Sequence, residues 1–316
     1  MTTPQQVSER EQLGQFIPPH YHGQMLANVE RMQAFKSSIQ AVVKPGHRVL
    51  ELGGGTGVLS FFAVQCGAEV TCVDANPEMI ETARQLLRQN PGAERIQLVL
   101  ADAMTYMPDA PVDVVICEML HSALLREQQL LVLDAFRHHH LQRFGKLPIF
   151  LPDTTLLAVQ PVQQNFDFMG FNAAIPLFQQ ASLPQPDTLG LGDPVIYGVI
   201  EYQEAQSMLL RADFVFEAHA EGTLNALRFI TKNLVAIVAQ EQRSIDWHCH
   251  YLILPLSQPV HLNAGDRLRL RFHYLAGGSI DQLQQALLIQ KLPQGDINHL
   301  FHGEVTSLNT AQRANA

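Results

Sequence analysis

Glu51, Gly53, Gly55 and Gly57 stand on alternate positions where the apolar run Val49-Leu-Glu-Leu52 gives way to Val58-Leu-Ser60. Glycines so spaced let a backbone turn tightly and approach a ligand at a point where any Cβ would clash. Asp74 closes the next apolar run, where an acidic side chain can accept hydrogen bonds from both hydroxyls of a ribose. Asp102, followed by Ala103, ends the third run, where a carboxylate can take a hydrogen bond from an adenine amino group. Singly, the glycines make a plain tight turn and each Asp a helix cap. In order, after successive strands, they describe a site for an adenine nucleoside.

The glycine spacing is closer than in the dinucleotide fingerprint, whose third glycine comes one residue later. Opened by an acidic residue, the closer form is similar to that of adenosylmethionine-dependent enzymes, with a nicotinamide dehydrogenase as the competing reading. The elements that must hold these residues follow from periodicity. Short apolar runs at 48–52, 69–73, 96–100 and 112–117 alternate with helical or Gly-rich stretches, the grammar of a parallel sheet with crossover helices. Apolar positions at helical spacing (Met25, Leu26, Val29, Met32, Phe35, Ile39, Val42) predict one helix over 24–43, ended by Pro45-Gly46. After Leu151-Pro152 the period changes to two, in 212–216 and 268–274, which predicts antiparallel strands in a barrel or sandwich. A long loop is expected over 179–194, and the polar stretch from Thr306 reads as a frayed tail.

The 316 residues exceed what one core usually organises, so a two-part molecule is expected. A formal charge of −9, with no Lys/Arg cluster, argues against nucleic acid and anionic membrane as partners. Cys66, Cys72, Cys117 and Cys249 have no metal or redox spacing and read as buried hydrophobes in a reducing compartment. Nowhere is there an apolar run long enough for a spanning helix, and a cytoplasmic protein is expected. His138-His139-His140 and His248-Cys249-His250 (the latter on a predicted strand) lack a third partner set, so no metal is expected.

From about residue 22 to 270 the chain resembles the protein arginine methyltransferase family. The resemblance rests on His22-Gly-Gln-Met25-Leu26 with Arg31 six residues beyond the Met, and on a loop that carries Glu118 and Glu127 after the fourth strand. It continues in Phe150-Leu-Pro-Asp153, like the family's junction between cofactor domain and barrel, and in Ser244-Ile-Asp-Trp247, like its Thr-His-Trp segment. The resemblance implies that Met25 and Arg31 hold the cofactor, Arg31 by its carboxylate, and that Glu118 and Glu127 clamp a guanidinium. A guanidinium is planar, carries five donors and stays protonated, so its nitrogens are poor nucleophiles unless carboxylates orient and polarise it. Glu127 as a first-turn helix acid, Glu118 as a cofactor-side polar residue and Arg31 as a solvated helix residue are the plainer readings. His121 could set a base beside the acceptor or be an inert loop histidine. Asp246 and Trp247 would touch substrate, or Trp247 would anchor the barrel core.

This chain departs from the family pattern at several points. Phe16 and Gln12 replace two tyrosines, Asn28 an acid, Asp246 a histidine, and Met119-Leu-His-Ser122 a Trp-Met-Gly-Tyr stretch. The expected fold is α/β, a Rossmann-like class I methyltransferase sheet followed by a mostly antiparallel β-barrel-like domain. Residues 1–45 would cover the cofactor, 46–151 bind it, 152–305 form the substrate and dimerisation domain, and 306–316 the tail. The expected activity is S-adenosyl-L-methionine-dependent N-methylation of a guanidino nitrogen, on a protein or a small molecule. Methylation of another metabolite and a non-catalytic cofactor-binding regulator are the alternatives. A homodimer through an arm at 165–180 is a further expectation.

Overall fold

The structure, a computed structural model, describes residues 17–293. Two helices open it, α1 (Pro19–Ala27) and α2 (Val29–Val42), where periodicity predicts one. The break is Asn28, whose backbone is extended (φ −74°, ψ 94°) and whose side-chain oxygen accepts the Arg31 N–H at 3.0 Å. Asparagine competes for backbone donors better than it continues a helix, so the apolar spacing persists across a change of direction that it does not encode. Arg31 thereby falls in the first turn of a new helix.

The first sheet is built from β1 (Arg48–Leu52), β2 (Glu69–Asp74), β3 (Ile96–Leu100), β4 (Val114–Cys117) and β5 (Ile149–Leu151). Its order is β3-β2-β1-β4-β5 and every pairing is parallel. β4 is buried at all four positions, as a strand covered on both faces must be. Crossovers run through α3 (Val58–Gln65), α4 (Pro77–Leu87) and α5 (Gln129–Phe144). Strand order reverses between β1 and β4, so their carboxyl ends face a crevice of the kind that holds ligands in open α/β sheets.

The second half is antiparallel. A curled seven-stranded sheet contains β6 (Thr154–Gln164), β9 (Leu177–Gln179), β10 (Thr188–Gly190), β11 (Val195–Glu201), β13 (Gly222–Val238), β14 (Arg243–His248) and β15 (Tyr251–Leu262). β12 (Leu209–Glu217) pairs with β16 (Arg267–Leu275) over nine positions, the two runs whose period of two predicts strands, and β17 (Leu288–Lys291) joins them. β7 (Asp167–Phe168) and β8 (Phe171–Asn172) form a small hairpin. The loop expected over 179–194 contains β10, and the predicted strand through His250 stops at His248. The expected tail from Thr306, like Gln12 and Phe16, lies outside the described residues.

One apolar cluster runs through both halves, from Phe35 and Ile39 of α2 across Leu50, Val115 and Phe136 to Phe229, Leu252 and Phe272. The cysteines are unpaired, three of them buried. Among the described residues no helix is long and apolar enough to cross a membrane. Replacing a helix N-cap costs about 1 kcal/mol unless another capping residue takes its place. Asn28→Ala is therefore expected to lower the unfolding free energy by about that amount, measured by urea titration, and Asn28→Asp to leave it within a few tenths.

Candidate active site

The glycine turn leaves the carboxyl end of β1 with Gly53, Gly55 and Gly57 at φ +73°, +54° and +77°. A Cβ on Gly55 would lie 2.8 Å from the His22 ring, so both conformation and space demand glycine there. Gly57 is the N-cap of α3 and packs toward Leu87 instead of lining the cleft. Beneath the turn, buried Glu51 accepts the Ser60 N–H at 2.8 Å and the Ser60 hydroxyl. Burial pushes its carboxyl up to about 7 against the opposing pull of those bonds. Asp74 accepts the N–H groups of Gly55 and Asn76, each at 2.8 Å. Asp102 accepts the Met104 N–H at 2.9 Å.

His22, Glu51, Gly53, Gly55, Asp74, Asn76, Asp102 and Met104 border a cleft, together with Met25, Arg31, Ala103, Glu118 and Glu127. Asp74 and Asp102 offer acceptors to the cleft at the ends of β2 and β3, and Arg31 offers a cation against Glu118. Such acceptors suit the hydroxyl and amino groups of a nucleoside, and a guanidinium suits a carboxylate. The residues present therefore fit S-adenosylmethionine.

Arg31 reaches Glu118 across 87 residues, its Nε donating to Oε2 at 2.9 Å and its Nη2 to the same oxygen. Its Nη1 points to the Met25 carbonyl at 3.5 Å, and its guanidinium lies 5.8 Å from the centre of the Phe35 ring. Glu127 sits at the same cleft, where the charges of Arg31 and Arg126 act on it only as lesser influences. Burial first, and the charge of Glu118 second, push its carboxyl up to about 8, so it keeps its proton at neutral pH.

The loop between the two glutamates is tied at both ends. Buried Gln129 accepts the Met119 N–H at 2.9 Å and donates to the Cys117 carbonyl at 2.8 Å, bracketing Glu118. Farther on, Ala123, Leu124 and Arg126 take φ of +57°, +53° and +64°. Left-handed conformations cost such residues roughly 1–2 kcal/mol each and persist only where their surroundings impose them. Spacing could not reveal Gln129, because its partners are backbone groups that any sequence supplies. His22 is visible in the sequence only as part of a motif, and its packing on Gly55 is a tertiary fact.

Three predicted substrate residues stand apart from the cleft. His121 packs edge-on against Phe178 at 5.3 Å, and burial lowers it to about 4, which makes it neutral and a weak base. Asp246 pairs with Lys232 at 2.8 Å. Trp247 sets its ring against Phe35 at 6.3 Å, behind Arg31. His140 of the triple-histidine run is a brace: Nε2 accepts from the Val112 N–H at 3.2 Å and Nδ1 contacts the Lys146 carbonyl at 2.9 Å. Among the described residues no group of three His, Cys, Asp or Glu side chains is arranged to hold a metal.

Residues 49–140 match the model of the "Methyltransferase domain" family. The chain is a class I, S-adenosylmethionine-dependent methyltransferase. It resembles the protein arginine methyltransferases. An uncharacterized protein of Methanothermobacter thermautotrophicus is 26% identical over 272 residues, 85% of this chain and 97% of that one. Protein arginine N-methyltransferase 2 of Xenopus tropicalis is 22% identical over 339 residues, 96% of this chain and 75% of that one. The fold is shared with the Trypanosoma brucei PRMT1 enzyme–prozyme heterotetrameric complex with AdoHcy. There the TM-score is 0.66 and the identity 16%, over 86% of the methyltransferase and 97% of that chain.

The two raised carboxyls fix how stability of the methyltransferase responds to base. A buried acid whose pKa is raised stabilises the fold while protonated, and that contribution is lost as pH rises through the folded value. Glu51 and Glu127 therefore lower stability through about 7 and about 8. The depressed histidines act in the opposite sense, but only below their ordinary value near 6.5. Between pH 6.5 and about 8 the melting temperature is expected to fall and then to level off, and Glu51→Gln to flatten the lower part of that slope in differential scanning calorimetry.

Proposed function

We propose that the protein methylates a guanidino nitrogen, with Glu118 and Glu127 as the two carboxylates that receive the acceptor. The observation that carries this reading is the Arg31–Glu118 contact, a guanidinium already seated on one of the two glutamates. Asp74, Asp102 and Arg31 would hold the cofactor, which supplies an electrophilic methyl group when bound. The chain's own part is positional and electrostatic. Attraction of Arg31 toward a cofactor carboxylate would loosen its hold on Glu118 and leave that oxygen for an incoming guanidinium. The same incoming cation would draw the proton from Glu127, because an adjacent positive charge favours the ionised carboxylate. Two anions fixed on one guanidinium pull its charge to their side and leave the far nitrogen richer in electrons. The surrounding apolar walls, Val132 and Met25 among them, keep water from competing for those bonds.

Labelled methyl transfer from S-adenosylmethionine is expected to appear on arginine, in protein or in small-molecule extract, and acid hydrolysis followed by amino-acid analysis identifies the product. Label on any other group would sink the guanidino reading, and the fraction that carries it decides between protein and metabolite acceptors. Glu127→Gln is expected to lose about 3 kcal/mol of barrier lowering, roughly 100-fold in kcat. In the unchanged protein kcat/KM reports the free enzyme, so it should rise with pH through the Glu127 value near 8. An unaltered pH profile in Glu127→Gln would exclude this carboxyl.

A homodimer belongs to the same proposal. The β7–β8 hairpin presents Met169 fully exposed and Phe171 at 72%, an apolar tip with no partner of its own among the described residues. Such a patch is characteristic of an interaction site. Light scattering is expected to give about twice the chain mass, and Met169→Asp combined with Phe171→Asp to give the mass of a single chain.

A further inference from the structure

The loop that carries Glu127 is shaped from outside itself. Its central residue, Ala123, has left-handed φ/ψ without the freedom of glycine, and both of its backbone polar groups are taken by side chains of the β-barrel half. The Ala123 N–H donates to Thr231 Oγ1 of β13 at 2.7 Å. The Ala123 carbonyl accepts the Tyr274 hydroxyl of β16 at 2.9 Å. Tyr274 is in turn fixed by the Tyr197 hydroxyl of β11, 2.7 Å away. Thr231 and Tyr274 are buried, so neither bond is shared with solvent. Backbone contacts repeat the pattern farther along the loop: Gly277 N–H donates to the Leu124 carbonyl and Arg126 N–H to the Gly278 carbonyl, each at 2.8 Å.

We propose that Thr231 and Tyr274 are positioning residues for methyl transfer, acting through Ala123 to hold the strained turn that carries Glu127 into the cleft. Neither borders the cleft, so neither touches cofactor or acceptor. Residues in sparsely populated backbone regions relax when the groups that impose them are removed. Here that relaxation would carry Glu127 away from Glu118 and toward water. Displacements of about 1 Å at a reacting centre cost on the order of 100-fold in rate. The proposal rests on the reading of Glu127 as an acceptor carboxylate, and its test needs a readout independent of any acceptor.

Thr231→Val and Tyr274→Phe each remove one hydroxyl and keep the shape of the side chain. Carbon-13 labelling of glutamate, with the Glu127 carboxyl assigned by its loss in Glu127→Gln, follows the titration of that group directly. Each variant is expected to move the midpoint down from about 8 toward the ordinary carboxylate range. Calorimetric affinity for S-adenosylhomocysteine should stay within about twofold, since the glycine turn is untouched. With an arginine-containing peptide as probe, kcat should fall by about tenfold or more while KM for S-adenosylmethionine holds, and Thr231→Ser should recover most of the loss. An unchanged Glu127 titration in both folded variants would overturn the proposal, as would loss of S-adenosylhomocysteine affinity in parallel with turnover. The guanidino reading fails on a different observation, full turnover in Glu127→Gln.

Discussion

Two carboxyl groups share one sheltered cleft, and burial first, the charge of Glu118 second, make ionising Glu127 costly. Glu118 is balanced by Arg31, and Glu127 retains its proton at neutral pH. Either solution alone would leave a buried charge unpaired at a cost of several kcal/mol. Together they avoid an unpaired charge in the cleft. The turn of α2 after Asn28, the Gln129 bracket around Glu118 and the left-handed path through Ala123 all maintain that arrangement.

The pieces of the site come from distant parts of the chain: α1 and α2, the glycine turn after β1, the ends of β2 and β3, and the loop after β4, which the barrel strands hold from behind. They can act together because one apolar core passes through both halves without a break. Phe35 shows how tightly these parts are coupled. It is buried in that core, lies under the Arg31 guanidinium and meets the edge of Trp247 on β14. A tryptophan that resembles a substrate contact thus supports the cation at the cleft from behind.

The glycine turn shows a similar economy of parts. Asp74, at the end of β2, holds the Gly55 N–H, and Glu51 ties the turn to the first residues of α3 through Ser60. Asp74, Asp102 and Glu51 are each bonded to backbone N–H groups of the protein that carries them. Such fixed dipoles and acceptors need no reorganisation when a ligand arrives, which is where preorganised sites gain their advantage over water.

The sequence by itself determined whatever depends on near neighbours. Alternation in 212–216 and 268–274 marks two strands that pair, short apolar runs mark the parallel sheet, and the glycines fall where positive φ is required, because these constraints act within a few residues. Tertiary structure alone decided the rest. It split the predicted helix at Asn28, ended the predicted strand at His248, paired Asp246 with Lys232, and moved His121 against Phe178. It also joined Arg31 to Glu118 and buried Glu127, which raises its carboxyl. The physical reason is that a charge's partner and its exposure to water depend on what the fold brings alongside it, and no spacing along the chain encodes that distance.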